Sequence, residues 1–156
     1  MKIEKAKMEQ LEKINKIGVQ CHDLHVHWRE DIFRKTNNII TKERLKQLID
    51  NEKILVSIEN EEVQGFMIID EKVRLGIEPL VDKKYLVIDT LAIDEKYRRK
   101  GIGTKLLEYA EMIALREGFT DLYLTVNEEN TAGINNYEKF GFKVKNIAYS
   151  KSVIKK

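Results

Sequence analysis

A chain of 156 residues, 42% hydrophobic and 35% charged, with eight Gly and one Pro, has the apolar content for one core. It is expected to form a single domain over residues 1–156, which excludes collagen-like, low-complexity and mostly disordered classes. The formal charge of +2, from 28 Lys+Arg against 26 Asp+Glu, offers no excess of positive charge for non-specific nucleic-acid binding. Cys21 is the only cysteine, which forbids an internal disulfide and any multi-Cys zinc site. No apolar run is long enough for a membrane span, and Met1-Lys2-Ile3-Glu4-Lys5 does not open a signal peptide, so the expected compartment is the cytoplasm.

Met8, Leu11, Ile14, Ile17 and Cys21 recur at steps of three or four, which predicts an amphipathic helix ending between His22 and Trp28. Thr41 is a good N-cap for a second helix, with Leu45, Leu48 and Ile49 on one side and a stop at Asp50-Asn51. Two helices thus precede any expected strand. Ile54 to Ile58 and Val63 to Ile69, joined by a short polar link, predict an antiparallel hairpin. Tyr85 to Ile93 is nearly continuous apolar sequence, as in a central strand buried on both faces, and Asp89 interrupts it. Leu106, Leu107, Ala110, Ile113 and Ala114 mark a helix that Gly118 ends. A short strand over Leu122 to Val126 follows, then a helix from Asn130 to Phe140 closed by Gly141. One or two closing strands are expected between Phe142 and Ile154, before a Lys-rich solvated end.

The cations concentrate in Lys96-Tyr97-Arg98-Arg99-Lys100, with Lys105 shortly after; without them the chain is faintly acidic. They precede Gly101-Ile102-Gly103-Thr104 at the start of the clearest helix. A helix start carries unpaired N–H groups and a positive dipole end, and glycine lets an anion approach them. Known phosphate loops test this stretch. A dinucleotide fingerprint needs a third Gly where Leu106 stands, and a P-loop needs Gly-Lys-Ser/Thr where the chain has Gly103-Thr104-Lys105. Both fail.

Arg98-Arg99-Lys100-Gly101-Ile102-Gly103, after a strand, resembles instead the pyrophosphate loop of the GNAT superfamily of acetyl-CoA-dependent N-acetyltransferases, Arg/Gln-x-x-Gly-x-Gly/Ala. A second stretch resembles the same superfamily: Asn130, Tyr137 and Gly141-Phe142 stand at its Asn, Tyr and Gly-Phe spacing. Gly133 departs from it, since Ala is usual there. The resemblance is strong from Tyr85 to Phe142 and weak before Ile54. It implies an α/β fold with a mixed, largely antiparallel twisted sheet flanked by helices. It also implies that backbone groups of Leu91, Ala92 and Ile93 pair with the pantetheine arm of acetyl-CoA. Arg98 and the amides of Arg99, Lys100, Gly101, Ile102, Gly103 and Thr104 would then hold the pyrophosphate, Asn130 would contact the cofactor, and Tyr137 would protonate the leaving thiolate. A phenol with a reference pKa of ~10 is protonated at neutral pH and so is able to donate. Helical spacing of Ile134, Tyr137 and Phe140 equally fits a core aromatic.

An ammonium must lose a proton before it attacks, which calls for a base. Asp89 is the candidate, because its carboxylate interrupts an apolar strand; a salt bridge or edge-facing polar residue explains it as well. Glu128 and Glu129 suit a solvated turn. His22, His25 and His27 do not share one helix face and have no second ligand cluster, so no metal is expected. By analogy Leu24, His25, Trp28 and Phe33 would line an acceptor pocket, although Leu24, Trp28 and Phe33 fit plain packing better.

The expected activity is transfer of an acetyl group from acetyl-CoA to a primary amine by direct attack, with an amine-bearing substrate as partner and neither nucleic acid nor membrane. The acceptor is not written in the sequence, and oligomeric state, a homodimer included, stays open. The rivals are a non-catalytic CoA-binding module and a transferase of longer acyl groups.

Overall fold

The computed structural model describes residues 1–154. Lys155 and Lys156, the last of the expected solvated end, lie outside the described residues. The elements run β1 (Lys2–Lys5), α1 (Leu11–Trp28), α2 (Lys42–Asp50), β2 (Ile54–Glu59), β3 (Glu62–Arg74), β4 (Lys83–Ile93), α3 (Ile102–Glu117), β5 (Asp121–Tyr123) and α4 (Thr131–Phe140). One sheet holds the strands in the order β1-β2-β3-β4-β5, antiparallel except for the parallel pair β4–β5. This is the mixed, largely antiparallel α/β architecture that the sequence leads one to expect.

Alternation along the strands divides the core in two. Ile54, Val56, Phe66 and Ile68 turn to one face, where Ile14, Ile17, Leu45 and Leu48 of α1 and α2 cover them. Leu55, Met67, Ile69, Leu86 and Ile88 turn to the other, against Leu106, Leu107, Ala110 and Ile113 of α3. Thr41 caps α2 by accepting from the Arg44 amide at 3.1 Å. Gly118 and Gly141 end α3 and α4 in the left-handed conformation, which costs glycine little.

Three expectations need correction. A strand does precede the helices: Lys2–Lys5 pairs with Leu55–Ile58 although only Ile3 in it is apolar, because pairing with the β2 edge supplies what its pattern lacks. The central strand is not buried on both faces. Leu86 and Ile88 are buried, Val87 half-buried and Asp89 exposed, because Asp89 borders a polar cavity beneath α2 rather than packed side chains. No strand forms between Phe142 and Ile154; the backbone beyond Phe142 makes no hydrogen bond among the described residues, and the side chains beyond it stand in solvent. A β pattern becomes a strand only when an edge meets it, and within one copy none does. The short strand expected over Leu122 to Val126 likewise keeps its ladder only to Tyr123, where β5 leaves β4.

Candidate functional site

The turn after β4 is held before any ligand arrives. Asp94 accepts from the Lys96 amide at 3.1 Å, and the Asp94 amide donates to the Gln64 carbonyl at 2.9 Å. Arg99 (φ 62°) and Gly101 (φ 78°) are both left-handed, which brings the chain sharply into α3. The first bond of that helix is Lys105 N–H to Gly101 O at 3.1 Å, so the amides from Arg99 to Thr104 have no partner among the described residues. A Cβ on Gly103 would meet only Asn136 Nδ2, at 3.7 Å, so nothing inside the protein demands glycine there. Arg98 Nε donates to the Ile93 carbonyl at 3.1 Å, and Lys100 Nζ lies 5.1 Å from the Tyr97 ring centre. Arg98, Arg99 and Lys100 join no ion pair among the described residues. Unpaired amides beside cations that join no ion pair are an arrangement that suits an oxyanion.

β4 and β5 pair only over Tyr85–Val87 and Asp121–Tyr123, whereas β4 continues to Ile93. Leu91, Ala92 and Ile93 therefore bond to β3 on one side and leave the other side open, apart from the Ile93 carbonyl that Arg98 uses. α4 closes on the phosphate seat through Thr104 Oγ1 and Asn136 Oδ1, 3.3 Å apart. Tyr137, the next residue, packs its ring edge-on to Phe142 at 5.9 Å, and its hydroxyl has no hydrogen-bond partner among the described residues. Burial, with Cys21 adding to it, pushes the Tyr137 phenol above its ordinary value, so it holds its proton across the neutral range. Cys21 packs with the α1 layer and Tyr137 with the α3–α4 layer.

Asn130, the expected cofactor contact, has a structural task as well. Its Oδ1 accepts from the Gly133 amide at 2.9 Å and caps α4, which leaves Nδ2 as its free donor. A Cβ at position 133 would lie 2.6 Å from that Nδ2, which gives a packing reason for Gly133 where alanine is usual.

Asp89 stands apart from this group. The β3–β4 register shifts between Ile68/Thr90 and Ile69/Ile88, so Asp89 is the extra residue of a bulge, a distortion that re-aims a side chain. Its carboxylate lines a cavity of about 400 Å³ with Arg44, Gln47, Asn51, Lys53 and Asp70, accepts from Thr90 Oγ1 at 3.3 Å, and joins no ion pair among the described residues.

A further ion pair carries no sequence signature. Asp94 is 1% exposed and 2.5 Å from Lys13 Nζ on α1; Lys13 also reaches Glu62, which accepts from the Tyr97 hydroxyl at 2.6 Å. Burial alone would raise the Asp94 carboxyl, but Lys13 and the Lys96 amide override it and hold it below the ordinary carboxylate range. Gln20 Oε1, also on α1, accepts from the Glu95 amide at 3.0 Å, so α1 fixes the turn that leads into the phosphate seat. At the other end of α1 the histidines are structural partners. His22 Nε2 lies 2.8 Å from the Arg34 carbonyl, and His25 packs at 5.4 Å from Trp28 and 5.5 Å from Phe33. Burial, then His22, lowers the His25 pKa. Among the described residues no cluster of His, Cys, Asp and Glu could hold a metal, and no helix is long and apolar enough to cross a membrane.

Comparison with known proteins bears on this geometry. The family described as Acetyltransferase (GNAT) family matches residues 19–142. The chain is 42% identical over 64 residues to N-alpha-acetyltransferase 50 of Danio rerio, covering 40% of this chain and 38% of that one. It is 46% identical over 66 residues to an N-alpha-acetyltransferase of Sulfurisphaera tokodaii, covering 41% and 38%. The matched stretch thus spans well under half the length of either relative. A mutant of the Bacillus halodurans protein BH1408 superposes with a TM-score of 0.93 at 22% identity, over 99% of this chain and 100% of that one. An aminoglycoside acetyltransferase from an uncultured soil metagenomic sample does so at 0.69 and 19% identity, over 99% and 96%. At these identities the structural likeness shows the fold.

Proposed function

The chain belongs to the GNAT family of acetyltransferases, and from that premise we propose that it moves the acetyl group of acetyl-CoA to a primary amine. The observation that carries this is the run of amides from Arg99 to Thr104 without a partner among the described residues, flanked by Arg98, Arg99 and Lys100, which join no ion pair among them, at the end of a half-open strand. Those groups suit a pyrophosphate, and the open side of Leu91, Ala92 and Ile93 suits an extended amide-bearing arm beyond it. Acetyl-CoA supplies an activated acyl carbon and a thiolate leaving group. The chain orients the two reactants so that a neutral amine attacks directly. The Tyr137 hydroxyl delivers a proton to the departing sulfur, and Asp89 on the cavity side accepts one from the amine, through water. Asn130 Nδ2 is the donor left for the cofactor.

The two N-alpha-acetyltransferases among the relatives make the α-amine of a peptide the first acceptor to try; lysine peptides, aminoglycosides and polyamines complete the panel. Incubation with acetyl-CoA and each amine, read by product mass, is expected to show a gain of one acetyl group. Binding of CoA without any acetylated product would leave a non-catalytic CoA-binding module, and faster turnover of longer acyl-CoA thioesters would replace the donor.

A further inference from the structure

One face of α2 looks onto the sheet across a polar cavity of about 400 Å³. Arg44, Gln47 and Asn51 recur at helical steps of three and four and form one wall. Lys53, just before β2, Asp70 of β3 and Asp89 of β4 line the side of the sheet. Their charges do not cancel in place. Lys53 Nζ lies 2.5 Å from Asp70 Oδ1, and Arg44 adds a weaker pull on the same carboxylate, so two cations share one anion. Neither Arg44 nor Asp89 joins an ion pair among the described residues. The cavity is thus left with one positive charge in excess on α2 and one negative charge in excess on β4. The Gln47 side-chain amide, on the same wall as Arg44, has no hydrogen-bond partner among the described residues either.

We propose that this cavity receives the acceptor and that Arg44 selects one whose amine stands a few bonds from a carboxylate. The proposal rests on the acetyl transfer inferred above, with Asp89 as the base. An α-amine followed by an acidic side chain has that chemistry, and so has a free amino acid. The guanidinium fork matches a carboxylate, and a single excess positive charge balances a monoanion but only half of a phosphate dianion. At the other wall Asp89 meets the ammonium. As the nitrogen bonds to the acetyl carbon, the carbon–sulfur bond breaks and the ammonium gives up two protons. One passes through water to Asp89 and on to solvent; the other restores the proton that Tyr137 delivers to sulfur. The volume falls at the small end of ligand pockets, which suits a peptide's first residues or a single amino acid and not a folded surface.

The test compares acceptors matched except for one charge: C-terminally amidated peptides beginning with Asp or Glu against Asn or Gln, and free alanine against alaninamide. In at least one pair the carboxylate-bearing member should have the higher kcat/KM by about tenfold, chiefly through KM. The pair that shows it says which carboxylate Arg44 holds. Arg44→Gln should erase the preference with acetyl-CoA affinity unchanged. Lys42→Gln makes the same charge change on α2 outside the cavity lining and should keep the preference. Equal turnover within both pairs, or a preference that survives Arg44→Gln, overturns the proposal. If no amine is acetylated, the transfer reading fails, and titration calorimetry of the same pairs with CoA present decides the site alone. Binding that needs both the carboxylate and Arg44 supports it, and binding that needs neither, or none at all, overturns it.

Discussion

The region from β4 to α4 and the region formed by α1, α2 and their connection present different atoms. The first presents backbone: partnerless amides at the start of α3, the open side of β4, a capped helix that sets Tyr137 in place. The second presents side chains, with His25, Trp28 and Phe33 packed together at the end of α1 and the polar cavity under α2 that Asp89 lines. A site made of backbone needs glycines, caps and left-handed turns at fixed offsets, and these mark the sequence. A site made of side chains needs only that distant positions meet, and leaves no local mark.

The sharpest way to break this contrast is Tyr137→Phe, since at Tyr137 the first region is proposed to act through a side chain. Removing the hydroxyl keeps the ring against Phe142 and should lower kcat by ~10²-fold or more with acetyl-CoA affinity unchanged. A parental kcat in the folded variant would make Tyr137 a core aromatic, whose lost hydroxyl costs only about 1 kcal/mol of stability.

Next in size is the joint between the regions. Lys13→Met leaves the Asp94 carboxylate buried without its cation and should cost on the order of 2 kcal/mol of unfolding free energy at neutral pH. The carboxyl of Asp94 is held below its ordinary value of 3.8 in the folded protein. The pair therefore contributes fully above 3.8, and its contribution is lost as pH falls through the lower folded value. The gap between urea melts of parent and variant should be smaller at about pH 3 than at about pH 7; an undiminished gap would mean that the pair is not the source.

Gly103→Val tests whether backbone exposure is the recognition element itself. The added side chain meets nothing tight within the protein, so melting without ligand should be near the parent's, while CoA affinity falls on the order of tenfold. Arg98→Ala should weaken CoA as well, but through charge, so its deficit should shrink as salt rises. Titration calorimetry at two ionic strengths separates the two, and unchanged affinity in both would reduce the loop to a structural turn. The smallest effect is expected from Asp89→Asn, a few-fold in kcat, because water is able to carry part of a solvent-facing base's work. No change would leave Asp89 as the polar residue of a bulge.

Much of the turn into α3, the candidate phosphate seat, was legible because Arg98-Arg99-Lys100-Gly101-Ile102-Gly103 encodes its own conformation: left-handed glycine, cations and the first turn of α3 are neighbours in the chain. Asn130 was legible as a position, but its capping of α4 through the Gly133 amide was not. Lys13 was not legible at all, because nothing within α1 sets it apart from the other lysines until α1 packs against the turn at Asp94.

What the sequence determined by itself is the set of elements stabilised over short distances. The helices are set by apolar periodicity, Thr41 and the closing glycines, the hairpin by its short link, and the anion seat by glycine and local charge. Tertiary structure alone decided where β5 parts from β4, which way the bulge turns Asp89, that Lys2–Lys5 becomes a strand and that Lys143–Ile154 does not. Each of those outcomes depends on whether an edge or a countercharge distant along the chain arrives beside the residue, and strand pairing, unlike helix formation, cannot be satisfied from within the segment that forms it.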